Sequence, residues 1–587
     1  MKNNLLIVLC TLLCLISSCV KDKKVFTPDQ GSIYRSSILG MVLDETNNPI
    51  QDATVTYQNK SQKTDKNGVY YFKNVDISAR HSSLTISKDG YFNGNRVFSA
   101  SRAGSTINLK TILLKKDFIY GFEAGAGGKI NTKDKVELNF PASAVMIEST
   151  GADYTGQVQA AIKYIDPTGE NLLFEMPGNL SGFNSNQETR ILTTYGMVAV
   201  ELQSPAGQKL NVKTGMQVEM SAEVPAKLLA KAPTHIPLWH FDESTGYWQE
   251  EGSAQLENGR YIGKVSHFSC WNYDVQQPSI IVSGRVIDQD GNPVAGAYIM
   301  FCVSGAYSGG GGTTNHDGTY SGPIEKDQIL TVTVYGLSSS ICPNDILYSG
   351  QVGSFSNDVT LPDIVVSVPV SHTLSVTGSF TDCTGNPVQE GYIMIKLNDV
   401  IIGTASVENG QASASFIACS ASGNYTATAV DLTRLKETGP IPLSLGANDL
   451  GMVTICGSEV DHLVIDCPNL HLHQVMTSGL FVSMDGELKV IKAYIDYNDS
   501  TNVIFMGYRD GDLNNYAIGT HPLHDVRFFI EGNGFQRLYA LVTGGNNTIT
   551  ITQGGATGGK VTGTFSFDAS NNGVQETFTG SFRIQSK

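Results

Sequence analysis

Gly40-Met-Val-Leu-Asp-Glu-Thr-Asn-Asn-Pro49 returns later in the chain as Gly284-Arg-Val-Ile-Asp-Gln-Asp-Gly-Asn-Pro293 and as Gly378-Ser-Phe-Thr-Asp-Cys-Thr-Gly-Asn-Pro387. Each copy has a glycine, alternating apolar residues, an aspartate, and a turn that closes on Asn-Pro nine residues after the glycine. Proline fixes φ and offers the ladder no donor, so it belongs at the edge of a turn. Each copy runs on into a second strand-like segment: Ala53-Thr-Val-Thr-Tyr57, Ala297-Tyr-Ile-Met-Phe301 and Gly391-Tyr-Ile-Met-Ile395. The first copy continues through Thr64-Asp-Lys-Asn-Gly68 to Tyr70-Tyr-Phe72. There Asp and Asn set a tight turn and Gly takes positive φ. Asn315-His-Asp-Gly318 and Glu408-Asn-Gly410 stand at the matching places in the other copies. One supersecondary unit is being reused, and it is built of strands.

This set, with Lys88-Asp-Gly-Tyr91 in the first copy, resembles the carboxypeptidase regulatory-like domain, a transthyretin-like β-sandwich. The resemblance spans 33–117, 279–369 and, in divergent form, 370–458. It implies tandem Ig/transthyretin-like sandwiches in an elongated, all-β, multidomain chain. It also implies no catalysis. The domain accompanies some metallocarboxypeptidases without holding their catalytic residues, and in bacterial surface lipoproteins it serves as a spacer or interaction module.

Residues 118–276 read differently. Gly125-Ala-Gly-Gly128 leads to Val136-Glu-Leu-Asn-Phe140, and the segment closes on Val265-Ser-His-Phe-Ser-Cys-Trp-Asn-Tyr-Asp274. Strand-length apolar runs between Gly and Pro make it all-β as well. The ending His-Phe-Ser-Cys-Trp-Asn resembles an extracellular β-module of cartilage intermediate layer proteins. Residues 459–587 form a last unit, similar to a small C-terminal β-domain of related lipoproteins. Val561-Thr-Gly-Thr-Phe-Ser-Phe567 and Phe578-Thr-Gly-Ser-Phe-Arg-Ile584 alternate with period two and predict paired strands around Asn571-Asn-Gly573. Gln276-Gln-Pro278 and Pro369-Val-Ser371 read as short linkers.

Composition agrees with many strands and turns. Of the 587 residues 61 are Gly, and charged residues make up 16%, below the usual quarter. The net charge of −15 repels phosphate backbones and argues against nucleic acid as a partner. Lys2, the apolar run Leu5 to Ile16, and Ile16-Ser17-Ser18-Cys19 resemble a bacterial lipoprotein signal. The run is too short to span a bilayer. The resemblance implies removal of 1–18, lipidation of Cys19, a tether over 19–32, and the membrane as a partner through that lipid. The expected place is the cell envelope, lipid-anchored at the outer membrane, surface-exposed or facing the periplasm. Export permits disulfides. Cys302 with Cys342 and Cys383 with Cys456 are candidate pairs, although six cysteines allow about fifteen connectivities. Cys270 reads as a small buried hydrophobe.

Signatures of catalysis are missing: there is no HExxH, GxSxG or P-loop. Gly309 to Gly312 lacks the strand–helix context and lysine of a phosphate loop and reads as a flexible hairpin loop. His471 and His473 share a strand face and would suit zinc only with a third ligand. His267 reads as a hydrogen-bonded structural histidine. Trp239, Trp248 and Trp271 would make a sugar-stacking platform if exposed, but their apolar neighbours favour core packing. Asp242, Glu243, Glu250 and Glu251 flank one hairpin, as a glycosidase pair could, although acidic hairpin ends are common. Asp288-Gln-Asp-Gly291 and Asp510-Gly-Asp512 lack the late Glu of a calcium loop. No catalytic residue, metal or cofactor is assigned. The function expected is non-enzymatic binding or scaffolding toward a glycan, protein or matrix ligand. The alternatives are an accessory subunit of an outer-membrane uptake or secretion assembly, and a cryptic hydrolase.

Overall fold

The computed structural model describes residues 31–585 apart from short internal stretches, among them 337–345, 418–422, 495–502 and 509–517. The chain is nearly all β, and the α-helices among the described residues are two single turns, Leu172–Glu175 and Ala226–Leu229.

The repeat motif builds the same corner three times. Asp44 Oδ1 accepts the backbone N–H of Thr46 and of Asn48, both at 2.8 Å. Asp288 Oδ1 accepts those of Asp290 at 2.9 Å and Asn292 at 2.8 Å. Asp382 Oδ1 accepts those of Thr384 at 2.7 Å and Asn386 at 3.0 Å. The carboxylate thus satisfies two turn donors that no strand can reach. The prolines then bridge back to the strand, Leu43 to Pro49, Ile287 to Pro293 and Thr381 to Pro387. Gly68, Gly318 and Gly410 close the second turn with φ of 71°, 75° and 74°. A Cβ there would meet the carbonyl oxygen of Val42, Val286 or Phe380 at 2.4, 2.4 and 3.0 Å. Only glycine fits both the conformation and the space.

Strand pairing repeats too. In the first sandwich Ile33–Asp44 lies antiparallel to Val69–Ser78 and parallel to Thr106–Leu113. A four-stranded sheet, Lys60–Lys63, Thr54–Tyr57, Ser82–Ser87, Gly94–Phe98, packs over it. The same antiparallel-plus-parallel arrangement recurs with Thr319–Glu325 and Ile364–Val366 around the end of Cys270–Asp288. It recurs again with Gln411–Ile417 and Gly446–Ile455 around Thr373–Asp382. Each has its own buried core: Ile38, Val42 and Phe72; Val282, Ile299 and Phe301; Val376, Phe380 and Ile395.

Two linkers were expected. Gln276-Gln-Pro278 is not one. It lies inside a continuous 19-residue strand, Cys270–Asp288, that leaves the 120–275 sheet and enters the next sandwich. Arg190, Ile191 and Leu192 pair with Pro278, Gln277 and Gln276. Pro278 stands where the ladder with Arg190 ends and the ladder with Thr319–Glu325 begins, a junction where the missing donor is tolerated. Pro369-Val-Ser371 lies outside the described residues. The glycine run is also more ordered than a flexible loop. Gly310–Thr313 is a strand paired with Tyr298–Phe301, and a Cβ on Gly310 would meet the Pro323 carbonyl oxygen at 1.8 Å. The last module is a ten-stranded sheet. In it Lys560–Asn571 and Val574–Gln585 form a long hairpin, Asn571 opposite Val574.

The first sandwich also packs against the 390–430 strands. Residues 36–43 of Ile33–Asp44 are buried on both faces. Ile38 and Val42 enter the sandwich's own core. Leu39, Met41 and Leu43 enter a second cluster, with Val69, Tyr71 and Ile112. Its other half is Phe174, from the next module, with Tyr392, Met394, Ile401 and Val430, three modules later in sequence. Period two sorts the same strand between two cores.

Candidate functional site: the docked first sandwich and a His-Glu-His cluster

Polar contacts ring the buried cluster. Asp65 Oδ1 accepts the N–H of Asn67 and of Val69, each at 2.9 Å, and Oδ2 accepts the Tyr392 hydroxyl across the interface. Asn67 Nδ2 donates to the same hydroxyl oxygen at 3.1 Å. Burial raises the Asp65 carboxyl above its ordinary value, against the lowering effect of Tyr392 and the two amides. Tyr71 donates to Glu408 Oε1 at 2.9 Å, and Lys66 meets Glu437 at 2.5 Å.

A second contact joins the first sandwich to the 120–275 module. Arg96 is buried, and its guanidinium donates to the carbonyl oxygens of Leu173, Phe174 (2.6 Å) and Met176 (3.0 Å) and to Thr111 Oγ1 at 3.2 Å. It therefore satisfies the carbonyls at the end of the one-turn helix Leu172–Glu175, where a cation is favoured. Burial pulls Arg96 down to about 10, so it stays charged. Lys110 sits 4.7 Å from the Phe174 ring centroid, and burial pulls its ammonium down to about 8. His81 stacks on Tyr247 with centroids 3.8 Å apart, and its Nε2–H donates to the Thr245 carbonyl oxygen at 2.8 Å. Burial lowers His81 to about 4. A third contact, Arg80 to Asp358 at 2.7 Å and Arg102 to Asp317 at 2.6 Å, reaches the sandwich that follows.

The tryptophans do not form a ligand platform. Trp239, Trp248 and Trp271 are each 0% exposed, and their indole N–H groups donate to the carbonyl oxygens of Asp274, Asn179 and His267. Large apolar area drives the rings inward, and a backbone acceptor satisfies the one polar atom. The acidic hairpin is not a carboxylate pair. Asp242 accepts Ser244 and Thr245 within its own turn, Glu243 accepts Asn93 at 3.0 Å, and Glu250 accepts the Ser185 N–H at 2.9 Å. Asp288 is occupied by its turn. Asp510, Asp512 and His471 lie outside the described residues, as do Cys19 and Cys342. His473 lies in Leu472–Met476, opposite Asp466. Cys383 and Cys456 are joined by a disulfide, with Cα atoms 5.0 Å apart. Cys302 is a buried free thiol, and its candidate partner Cys342 lies outside the described residues; Cys270 is half-buried rather than fully buried.

Glu251 does meet reactive company, which the sequence reading missed. His240 Nε2 and His267 Nε2 each lie 3.6 Å from Glu251 Oε2. All three donor atoms fall within 4.8 Å of one another. The imidazoles meet edge to face, centroids 4.7 Å apart, and both pack on Trp271. Ser266 Oγ donates to Glu251 Oε1 at 2.5 Å. His240 sits below the ordinary histidine value through burial and the neighbouring His267, opposed by Glu251 and Asp242.

No family model matches this chain. Among curated proteins it is similar to cartilage intermediate layer protein 1 of Sus scrofa, 32% identical over 129 residues, covering 21% of this chain and 20% of that protein. Cartilage intermediate layer protein 2 of Mus musculus is 28% identical over 172 residues, covering 28% of this chain and 14% of that protein. The chain thus spans a fifth or less of these relatives' length. Among solved structures, BcpA, the major pilin subunit of Bacillus cereus, aligns over 73% of this chain and all of its own at 9% identity and a TM-score of 0.11. A streptococcal ancillary pilin covers 40% of this chain and 93% of its own at 10% identity and a TM-score of 0.13.

Proposed function

We propose that this chain is a non-enzymatic envelope scaffold, held to a bacterial outer membrane by lipid on Cys19, that presents β-sandwich modules to a protein, glycan or matrix ligand. The docking of the first sandwich carries the reading. Its buried polar groups, Asp65, Arg96 and His81, all serve to fix one module against another, which makes a rigid presenter. Unsatisfied buried groups of this kind are costly, so such networks hold one arrangement. The partial likeness to cartilage intermediate layer proteins supports an extracellular structural use. Loops at the ends of the sandwiches are the surfaces left for a ligand.

Protease shaving of intact cells tests this, read by an antibody against residues 560–585. Loss of the C-terminal module while periplasmic markers survive is the expected result. Full protection until lysis sinks surface presentation and moves the reading to a periplasmic assembly subunit.

A further inference from the structure

We infer that His240, Glu251 and His267 form a binding site for a divalent transition metal of the zinc class. This stands apart from the scaffold reading and needs no membrane anchor. The argument begins with distances. Both Nε2···Oε2 separations are 3.6 Å, too long for a hydrogen bond. They are close to the spacing of ligands on one ion: zinc bonds of about 2.0–2.2 Å in a tetrahedron put neighbouring donors roughly 3.3–3.6 Å apart. Two imidazole nitrogens thus lie at ligand spacing from one carboxylate oxygen, and all three atoms lie within 4.8 Å of one another.

The donors are also positioned as ligands usually are. They come from three segments: His240 from His235–Asp242, Glu251 from Tyr247–Glu257, and His267 from the turn before Cys270–Asp288. Strand alternation places His240 on the face opposite the buried Trp239 and Phe241. The free oxygen of Glu251 is held by Ser266, and the His267 backbone carbonyl by the Trp271 indole. Outer contacts of this kind orient metal ligands. The carboxylate is 42% exposed, so an ion has an entry path and a fourth position for water or a partner's side chain. Two imidazoles with one carboxylate suit zinc, cobalt or nickel better than calcium, which takes oxygen ligands. A bound ion would pin the Trp239–Trp248 hairpin to the turn that precedes the strand shared with the next module.

The test uses the full chain in detergent, stripped with a chelator and titrated with zinc alone, then with cobalt. One zinc per chain and a visible tetrahedral cobalt spectrum are expected, with a rise in Tm on zinc addition. Glu251→Gln and His267→Gln should each weaken zinc binding by about tenfold or more, with unchanged circular dichroism. His235→Ala, an exposed histidine on the same strand, should leave it unaltered. Failure to take up zinc at micromolar free metal overturns the site. So does a Glu251→Gln/His267→Gln double variant that binds zinc as tightly as the parent.

Discussion

Asp274 shows how much one side chain's surroundings decide. It ends the His-Phe-Ser-Cys-Trp-Asn-Tyr-Asp run, is 0% exposed, and accepts a short hydrogen bond of 2.5 Å from Asn272 Nδ2. Burial raises its carboxyl well above the ordinary value. The folded chain therefore holds a proton there that the unfolded chain has released. Between the unfolded value near 3.8 and the raised folded one, stability falls as pH rises. Asp274→Asn removes that dependence. Urea unfolding should find the variant gaining on the parent from pH 4 to pH 8. A constant difference across that range would show that Asp274 is ionised in the fold. The tryptophans make the converse point. Their burial was legible from neighbours such as Leu238 and Phe241, because clustered apolar residues rarely face water.

At the scale of elements, the contact between Ser82–Ser87 and the Tyr247 hairpin depends on a neutral histidine. His81 precedes the first of these strands and stacks on Tyr247. Its folded value of about 4 lies below the ordinary 6.5. The unfolded or undocked chain binds the proton first, so the contact weakens as pH falls from 6.5 toward 4 and is fully present above that window. The loss approaches about 3 kcal/mol at the acid end. Hydrogen exchange of residues 81–87 and 242–248 should show it, and His81→Gln, which keeps a donor for Thr245, should flatten the profile. Equal protection at pH 4.5 and 7 in the parent would mean that this histidine titrates normally. The repeat corners were readable at this scale because Asp, Asn-Pro and Gly act locally, each on its own turn. The strand through Gln276-Gln-Pro278 was not, because a Pro-containing polar triplet reads as a linker until a partner strand is seen beside it.

For the whole molecule, the interface of the first sandwich with the 390–430 strands should be separable from the cores. Leu39→Asp places a charge in the shared cluster while Ile38 and Val42 keep their own core. A buried unpaired charge costs several kcal/mol, so the modules should part without unfolding. Small-angle scattering should report a larger radius of gyration, and exchange should rise at 65–73 and 390–394. Unchanged scattering with intact circular dichroism would argue against docking. The signal for this contact was present in the unbroken apolar runs Ile38–Leu43 and Tyr392–Ile395, which have too few polar residues for one wet face.

Local chemistry by itself determined the all-β class, the thrice-used corner and the closing hairpin, because turn residues and period-two patterns act over a few neighbours. Only the tertiary structure decided which face meets which: Leu39 in one buried cluster with Met394, Arg96 on the carbonyls of Leu173, Phe174 and Met176, Glu251 beside His240 and His267. Those pairings join residues far apart along the chain. Burial and complementarity select them after the strands have formed, and no local pattern encodes the partner.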